Sequence, residues 1–343
     1  MKRILVTGSE GYIGSILCPM LLKMNYDIVG IDNCYYSNGN FNNSIFKPYQ
    51  LIKKDIRDIE TGDLINNKIF AVVHLAALSN DPLGMLDEDL TLDINFRGTV
   101  RLAEIAKKIG ISRFIFASSC SLYGQGDSIL TEESTSNPQT SYGKSKILAE
   151  NEISKMADDL FSPTSLRNAT AFGISPRMRF DIVVNNLTGF AKIDGEIKIL
   201  GDGKPWRPLV HVEDICRAII MTIEQKKEII HNQCFNIGDN NENYQIKTIA
   251  EKVQEHFKEC NISIAQNDAG DRRDYNVSFV KANNLLGFIS KWSLGHGISD
   301  IKGVYDKVKL DRLMFNDRLY TRLKQVNYLI KNKFIDDSLR RIE

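Results

Sequence analysis

The sequence predicts an α/β fold with a doubly wound parallel sheet and a smaller C-terminal lobe that binds substrate. The first half of the chain alternates short apolar runs with longer stretches of good helix formers, which is typical of parallel strands covered by helices on both faces. The predicted strands are Lys2–Thr7, Asp27–Asp32, Tyr49–Lys53, Phe70–Leu75, Arg113–Ser118 and Thr164–Asn168, and the predicted helices are Tyr12–Met24, Asn95–Lys108 and Tyr142–Met156.

After Gly173 the regular alternation gives way to basic and turn-rich stretches. The remaining predicted elements are the helices Asp181–Ile193 and Val212–Glu224 and the strand Gln233–Ile237, which we expect to return to the large sheet. Residues 1–173 with about 213–240 are therefore predicted to form the sheet domain. Residues 174–212 with 241–343 should form the lobe, over the carboxyl ends of the strands, where ligands bind in such folds.

The polar segment Asp306–Phe334 has apolar residues near helical spacing, and this pattern predicts a helix packed on the lobe. The alternative for this segment is a contact between two copies of the chain.

Composition limits the possible partners. The chain has 343 residues and a formal net charge of +1, so charge gives no reason to expect nucleic acid or a membrane surface as a partner. The six cysteines form no close pairs, which argues against a metal site and against a disulfide framework. The first apolar run is too short for a signal peptide or a membrane span, and we expect a cytoplasmic protein.

A glycine-rich turn, Gly8-x-x-Gly11-x-x-Gly14, follows the first predicted strand. Gly8 permits a tight turn, Gly11 lets the backbone approach a diphosphate, and Gly14 lets the following helix pack closely. The helix that starts near Tyr12 would then present free N–H groups and its positive dipole end to the phosphates. A glycine-rich turn without a ligand is the alternative, because short motifs recur by chance.

Asp32 supports the dinucleotide interpretation. It ends the second predicted strand, roughly twenty residues beyond the turn, where the dinucleotide fingerprint has an acidic residue. Its carboxylate can accept hydrogen bonds from both ribose hydroxyls and would repel a 2′-phosphate, which favours NAD over NADP. The alternative is an ordinary turn or helix-capping aspartate.

Tyr142 and Lys146 are spaced i and i+4, so they share one face of a predicted helix. A tyrosine hydroxyl is a poor base at neutral pH because its pKa is near 10, and a neighbouring ammonium lowers that pKa. Tyr142 could then exchange a proton with a sugar hydroxyl while hydride moves to or from a nicotinamide. The serine-rich segment Ser118–Ser121 ends the fifth predicted strand and offers a hydroxyl at the same end of the sheet. An exposed helix face and a strand-end turn are the alternatives.

Taken together, these motifs resemble the extended short-chain dehydrogenases/reductases of the nucleotide-sugar epimerase/dehydratase family. The resemblance covers nearly the whole chain. It rests on Gly8–Gly14, Asp32, Asp55-Ile56, His74–Ala77, Asn95 with Gly98-Thr99, Ser118–Gly124, Tyr142–Lys146, Leu166–Gly173 and Arg207–Asp214.

The resemblance implies a Rossmann fold, NAD as cofactor and a nucleotide-diphosphate sugar as substrate. It implies that Ser119 is the catalytic serine, that Tyr142 is the acid/base and that Lys146 orients the nicotinamide ribose. The implied cofactor residues are Tyr142 and Lys146 together with Gly8, Gly11, Tyr12, Ile13, Gly14, Asp32, Asn33, Asp55, Ile56, Leu75, Ala76, Ala77 and Asn95. The implied substrate residues are Ser121, Thr170, Arg177, Arg179, Asn186, Leu187, Lys198, Leu200, Arg207 and one or both of Arg272 and Arg273.

Arginine suits a diphosphate because its planar fork makes paired hydrogen bonds to phosphate oxygens. A surface salt bridge is the alternative for each of these arginines, and a solvated basic loop is the alternative for Arg177 and Arg179.

The sequence departs from several relatives of this family. Sugar 4,6-dehydratases carry Asp and Glu after the catalytic hydroxyl residue, whereas this chain has Cys120 and Ser121, which argues against dehydration. GDP-fucose synthase carries a reactive cysteine at the place of Ser121, so Cys120 is expected to be a packing residue. Thr170 stands where the epimerases usually have asparagine.

The first hypothesis is an NAD-dependent nucleotide-sugar epimerase that acts at carbon 4 through a keto intermediate, in the synthesis of sugars for surface polysaccharides. The second is a 4-dehydrogenase or 4-ketoreductase that stops after half of this cycle. The segments Phe172–Arg179 and Asp271–Ser278 are similar to a subgroup that includes GDP-heptose 4-dehydrogenases and epimerases of surface-polysaccharide pathways. The third is a noncatalytic NAD-sensing protein, against which the intact Ser119, Tyr142 and Lys146 argue. The resemblance also implies a homodimer built on the helices near Asn95–Lys108 and Tyr142–Met156.

Overall fold

The structure is a computed structural model that describes residues 1–42, 48–65, 68–79, 81–84, 86–265 and 273–342. Its strands are β1 (Arg3–Thr7), β2 (Asp27–Asp32), β3 (Gln50–Lys53), β4 (Ile69–His74), β5 (Arg113–Ser119), β6 (Gln125–Leu130), β7 (Ser162–Asn168), β8 (Thr170–Phe172), β9 (Glu196–Leu200), β10 (Trp206–His211), β11 (Gln233–Ile237), β12 (Asn243–Gln245), β13 (Asn261–Ala265) and β14 (Asp274–Val277).

Helices connect most of these strands. The α-helices are α1 (Gly14–Lys23), α2 (Thr61–Ile65), α3 (Asp81–Gly84), α4 (Glu88–Leu92), α5 (Gly98–Lys108), α6 (Ser141–Lys155), α7 (Val183–Asp194), α8 (Val212–Glu224), α9 (Lys227–Ile230), α10 (Ile246–Gln254), α11 (Val280–Leu286), α12 (Leu294–Lys307), α13 (Arg312–Asn316) and α14 (Arg322–Lys331). A π-helical stretch, Asp93–Arg97, joins α4 to α5.

The large sheet has seven parallel strands in the order β11-β7-β5-β4-β1-β2-β3. The strands β2 and β3 lie on one side of β1, and the later strands β4, β5, β7 and β11 lie on the other side. The order therefore reverses between β1 and β4, and a crevice for ligands forms at the carboxyl ends of such strands. The predicted doubly wound sheet is confirmed, including the return of Gln233–Ile237 as its last strand.

Both faces of this sheet are covered by helices. Ile4 and Val6 of β1 pack into a core that includes α1 and α8, whereas Leu5, which points the other way, packs into a core with α5 and α6. The alternation follows from the strand geometry, since successive side chains point to opposite faces. Burial on both faces explains the continuous apolar run Ile4-Leu5-Val6 in the middle of β1.

The lobe has its own apolar core, formed mainly by α7, α10 and α12. Two small sheets, β13-β9 and β12-β10-β8, belong to this half of the molecule. The domain boundaries stay a prediction. Two stretches that the sequence assigned to the lobe nevertheless pack on cores of the large sheet: α11 contributes Ala282 and Leu286, and α14 contributes Val326.

The prediction of one helix over Asp306–Phe334 is wrong. The helix α12 ends at Lys307, and α13, a 3-10 turn over Arg318–Tyr320 and α14 follow it. The interruption has a local cause, because the Asp311 and Asp317 side chains each accept a backbone N–H and start a new helical turn. Leu310 then packs in the lobe, while Val326 packs on the large sheet.

Candidate active site

A cavity of about 1200 Å³ lies at the carboxyl ends of the large sheet, and its walls come from both the sheet and the lobe. One half is lined by the glycine-rich turn and by the loops after β2, β3 and β4. The other half is lined by parts of β8, α7, β9 and β10. The N-terminal turn of α6 and the end of β5 also line it, so one continuous cavity contains both groups of predicted residues.

The glycine-rich turn has no room for side chains. Gly8 adopts φ of +72°, and a Cβ there would lie 2.8 Å from the backbone nitrogen of Ala76. A Cβ on Gly14 would lie 2.7 Å from the Cα of Ser9. The close packing leaves the N-terminus of α1 open toward the cavity, and this end carries free N–H groups that suit a diphosphate.

Asp32 lies at the cavity wall where β2 ends. Its carboxylate accepts backbone N–H groups of Cys34 at 2.7 Å and Glu10 at 3.0 Å, which fixes its orientation. Burial raises the pKa of this carboxyl. The turn, the helix end and an oriented acid beside them fit the diphosphate and adenosine ribose of a dinucleotide.

The other predicted cofactor residues that line the cavity are Gly11, Tyr12, Ile13, Asn33, Asp55, Ile56, Leu75, Ala76 and Ala77. Asn95 does not line it. The buried Asn95 amide accepts the backbone N–H of Leu78 at 2.8 Å and donates to the Leu78 carbonyl and to Ser145 on α6. Asn95 therefore joins the loop after β4 to α6, and the structure does not place it with the other predicted cofactor residues.

Tyr142 and Lys146 lie on consecutive turns of α6, and both line the cavity. The helix begins here because the Thr140 hydroxyl accepts the backbone N–H of Gly143 at 3.1 Å, which is an N-cap. The Lys146 ammonium lies 5.6 Å from the centroid of the Tyr142 ring and donates to the Ala117 carbonyl at 2.8 Å. Lys146 is only 3% exposed, and burial lowers the pKa of its ammonium to about 7.

Ser119 and Ser121 complete this part of the wall. The Ser119 hydroxyl accepts hydrogen bonds from the Ser121 hydroxyl at 2.9 Å and from the Ser121 backbone N–H at 3.2 Å. These bonds orient Ser119 Oγ at the end of β5, near the first turn of α6. The cavity wall thus carries a phenol, an ammonium and two hydroxyls, a set that can move a proton to or from an alcohol.

Cys120 is directed away from the cavity. Its thiol is buried and donates to the Arg167 carbonyl at 3.1 Å, and burial raises the pKa of this thiol. Because a neutral buried thiol is neither a base nor a nucleophile, the packing role expected from the sequence agrees with the structure.

Most of the predicted substrate residues line the lobe side of the cavity: Thr170, Arg179, Asn186, Leu187, Lys198, Leu200, Arg207 and Arg273. The buried Arg207 guanidinium lies over the ring of Tyr275 at 5.4 Å and donates to the Trp206 carbonyl at 2.6 Å. These contacts hold a positive charge at this wall. Arg272 lies outside the described residues.

Arg177 is a correction, since it does not line the cavity. Its guanidinium forms an ion pair with Glu10 at 2.6 Å and donates to the Gly39 carbonyl. Arg177 therefore joins the lobe to the loops around the glycine-rich turn. Arg179, two residues later, does reach the cavity.

The sequence interpretation missed some lining residues. Tyr36, Ser79, Asp181, Tyr275 and Arg322 all contribute to the cavity wall. Tyr275 lies in the stretch Asp271–Ser278, and the other four lie in none of the motifs. Arg322 comes from α14, far along the chain from the glycine-rich turn.

A model of the NAD dependent epimerase/dehydratase family matches residues 4–238. The chain belongs to this family. It is an enzyme family that uses NAD, and the glycine-rich turn and Asp32 fit that cofactor.

Relatives and solved structures agree with this assignment. The UDP-glucose 4-epimerase of Bacillus subtilis is 27% identical over 87% of this chain and 95% of its own length. The UDP-glucose 4-epimerase of Thermotoga maritima, solved with UDP-glucose, superposes with a TM-score of 0.79 at 25% identity and covers 90% of this chain and 100% of its own. The UDP-glucuronic acid 4-epimerase of Bacillus cereus, solved with UDP-glucuronic acid and NAD, gives a TM-score of 0.77 at 27% identity, covering 90% of this chain and 99% of its own.

None of the helices in the described ranges is long and apolar enough to cross a bilayer. Within the same ranges, no three His, Cys, Asp or Glu side chains are grouped so that they could hold a metal ion.

Proposed function

We propose that the protein is a nucleotide-sugar 4-epimerase. The observation that carries this proposal is the arrangement of Tyr142, Lys146 and Ser119, which lie together on the wall of a cavity that also contains the cofactor turn and the arginine-bearing lobe wall. The proton-transfer group thus lies between a place for NAD and a place for a diphosphate sugar. The similarity to 4-epimerases over most of the chain supports the same conclusion.

In the proposed reaction, NAD supplies the hydride acceptor and, in the reverse step, the hydride donor. Tyr142, as phenolate, accepts the proton of the sugar 4-hydroxyl, and Ser119 donates a hydrogen bond to the oxygen that becomes the ketone. The Lys146 ammonium stabilises the phenolate electrostatically. After the keto sugar has turned in the cavity, Tyr142 returns the proton to the same oxygen as hydride reaches the opposite face of carbon 4.

Dehydration needs a carboxyl group beside the sugar. Among the described lining residues the carboxylates are Asp32, Asp55 and Asp181. Asp32 accepts two backbone N–H groups, Asp55 pairs with Arg57 at 2.8 Å, and Asp181 pairs with Arg179 at 2.8 Å. Each of these carboxylates is already engaged, so the described part of the wall offers no acid to expel a sugar hydroxyl.

For the substrate we propose a nucleotide-diphosphate sugar, with uridine as the base. The support comes from the relatives, which are named for UDP-glucose and UDP-glucuronic acid. Arg207 and Arg273 would bind the diphosphate, and the strand β9 would lie along the base through Lys198 and Leu200. Asn186 and Leu187 would border the sugar nucleotide from α7.

Two wider expectations also belong to the proposal. A homodimer would form through α5 and α6, and the product would serve surface-polysaccharide synthesis. A 4-dehydrogenase or 4-ketoreductase would use the same residues for half of the cycle, and product analysis separates it from an epimerase.

The replacement Tyr142→Phe tests the proposed mechanism. Turnover of a UDP-sugar should fall by about 100-fold or more, since general acid–base catalysis contributes at least that much. NAD affinity should change little, because only the phenolic oxygen is removed. Tyr328→Phe is the matched control, as Tyr328 lies outside the cavity and is 36% exposed. Unchanged turnover in Tyr142→Phe would contradict the mechanism.

A further inference from the structure

Two buried arginines, Arg179 and Arg322, share one part of the cavity wall. Arg179 precedes α7 and is 6% exposed, and Arg322 is the first residue of α14 and is 2% exposed. They come from opposite ends of the second half of the chain. Their meeting is therefore a property of the fold and not of any local motif.

The charges of this pair are not balanced by the acid that they contact. Asp181 forms an ion pair with Arg179 at 2.8 Å and accepts the backbone N–H of Arg322 at 3.2 Å. The Arg322 guanidinium instead donates through Nη2 to the Arg177 carbonyl at 3.2 Å and stacks on the Tyr36 ring at 3.9 Å. Two guanidinium groups thus share one carboxylate.

One nitrogen of Arg322 lacks a hydrogen-bond partner among the described residues. Its Nη1 is buried and makes no hydrogen bond to any part of the chain that the structure describes. Burial and the neighbouring Arg179 charge lower the pKa of Arg322 to about 10, so the group is still charged at neutral pH. A buried cationic donor without a partner is costly, and an anion in the cavity would satisfy it.

The surroundings indicate which anion this is. Tyr12 of the glycine-rich turn and Asp32 at the end of β2 both lie close enough to Arg322 to interact with its charge. The oxygens of Asp32 are oriented by two backbone N–H groups, as a ribose ligand requires. The group between that ribose and the N-terminus of α1 is the diphosphate of the dinucleotide.

We propose that Arg322, supported by Arg179, binds the NAD diphosphate from the side opposite the glycine-rich turn. The N–H groups at the start of α1 would hold one side of the diphosphate, and the stacked guanidinium would hold the other. Arg179, which donates to Ser79 at 3.3 Å as well as to Asp181, would fix the geometry and add charge. The proposal rests on the NAD site and not on the identity of the sugar reaction.

The C-terminal segment is built to keep Arg322 in place. Gln325, one turn later on α14, donates to the Tyr35 carbonyl at 2.8 Å. Arg341 donates to the Asn33 carbonyl at 2.7 Å, so the end of the chain also contacts the loop after β2. This segment lies beyond residues 4–238 that match the family model. The cofactor site of this protein would then be completed by residues outside the matched region.

Ligand titration of the full chain tests the proposal. Wild type, Arg322→Met and Arg322→Lys would be freed of nucleotide and titrated calorimetrically with NAD, ADP-ribose, adenosine and UDP. In Arg322→Met, the affinities for NAD and ADP-ribose should fall by about 10- to 100-fold, since hydrogen bonds to charged groups are lost. Adenosine and UDP should bind as to wild type. Arg322→Lys should recover part of the loss because the charge stays while the planar fork is removed.

Arg312→Met is the matched control, since the Arg312 side chain is 65% exposed and pairs with Asp194 outside the cavity. It should bind all four ligands normally. Unchanged NAD affinity in Arg322→Met would overturn the proposal. An equal loss of affinity for adenosine would also overturn it, because it indicates a structural role for Arg322. A loss of affinity for UDP alone would overturn it as well, because it assigns Arg322 to the substrate diphosphate. If Arg322→Met does not fold, the test uses Arg322→Lys alone. The proposal is overturned if this variant binds NAD and ADP-ribose as tightly as wild type does.

Discussion

Replacing Lys146 by methionine should make the nucleotide-free protein more stable while it abolishes efficient catalysis. Lys146 is buried, and the pKa of its ammonium falls from 10.5 to about 7 because burial disfavours the charge. That shift corresponds to roughly 5 kcal/mol of destabilisation, at about 1.4 kcal/mol per unit of pKa. The replacement also loses the hydrogen bond to the Ala117 carbonyl, worth about 1 kcal/mol. The net gain should be about 3–4 kcal/mol at neutral pH.

The gain should depend on pH in a defined direction. Because the folded protein releases the Lys146 proton more easily than the unfolded chain, the burial cost is fully present below about pH 7 and disappears above the ordinary value of 10.5. Between these limits the advantage of Lys146→Met should shrink by about 1.4 kcal/mol per pH unit, to about 1 kcal/mol near pH 9. Urea unfolding of both proteins at the two pH values measures this difference.

The catalytic part of this prediction follows from Coulomb's law. A charge 5.6 Å from the Tyr142 ring is worth about 3 kcal/mol at an effective dielectric constant of about 20, and it favours the phenolate. The acid limb of the kcat profile should therefore move to higher pH in Lys146→Met. A variant no more stable than wild type, or a gain in stability that is the same at both pH values, would refute the burial cost assigned to Lys146.

Three further predictions concern the rest of the site. Gly14→Ala should lose NAD binding, measured by calorimetry, because the new Cβ would lie 2.7 Å from the Cα of Ser9 and displace the turn. Asp32→Ser should weaken NAD binding by about tenfold or more, since hydrogen bonds to a charged acceptor are lost, and should improve NADP binding; unchanged relative affinities would contradict the ribose assignment. Cys120→Ala should leave kcat unchanged and lower the free energy of unfolding by about 1 kcal/mol, because the thiol is buried and bonded to the Arg167 carbonyl; a large loss of kcat would give the thiol a chemical role.

The sheet could be predicted because its strands carry a strong signal. Strands buried on both faces are continuous apolar runs, and Asp27–Asp32 and Gln233–Ile237 have the predicted bounds. The interruption of Asp306–Phe334 was harder to see, since the leucine spacing continues across it. Capping by Asp311 and Asp317 decides the local structure there, and such capping competes with the helical pattern.

The site was predictable where a motif fixes local geometry, as in the glycine-rich turn and the Tyr142–Lys146 pair. It was less predictable where partners come from distant parts of the chain. Arg177 and Arg179 have the same chemistry and are two residues apart, yet Arg177 turns away from the cavity toward Glu10 and the Gly39 carbonyl, which lie far away in sequence. Arg322 reaches the cavity through the packing of α14, which no local pattern encodes.

The most direct test of the proposed function is product analysis without added cofactor. Purified protein would be incubated with UDP-, GDP-, dTDP- and CDP-sugars, and the products would be analysed by mass spectrometry and proton NMR. A 4-epimerase that retains its NAD predicts a product of unchanged mass with inverted configuration at carbon 4. A product lighter by two hydrogens, formed only in the amount of enzyme present, would contradict the epimerase and identify a dehydrogenase.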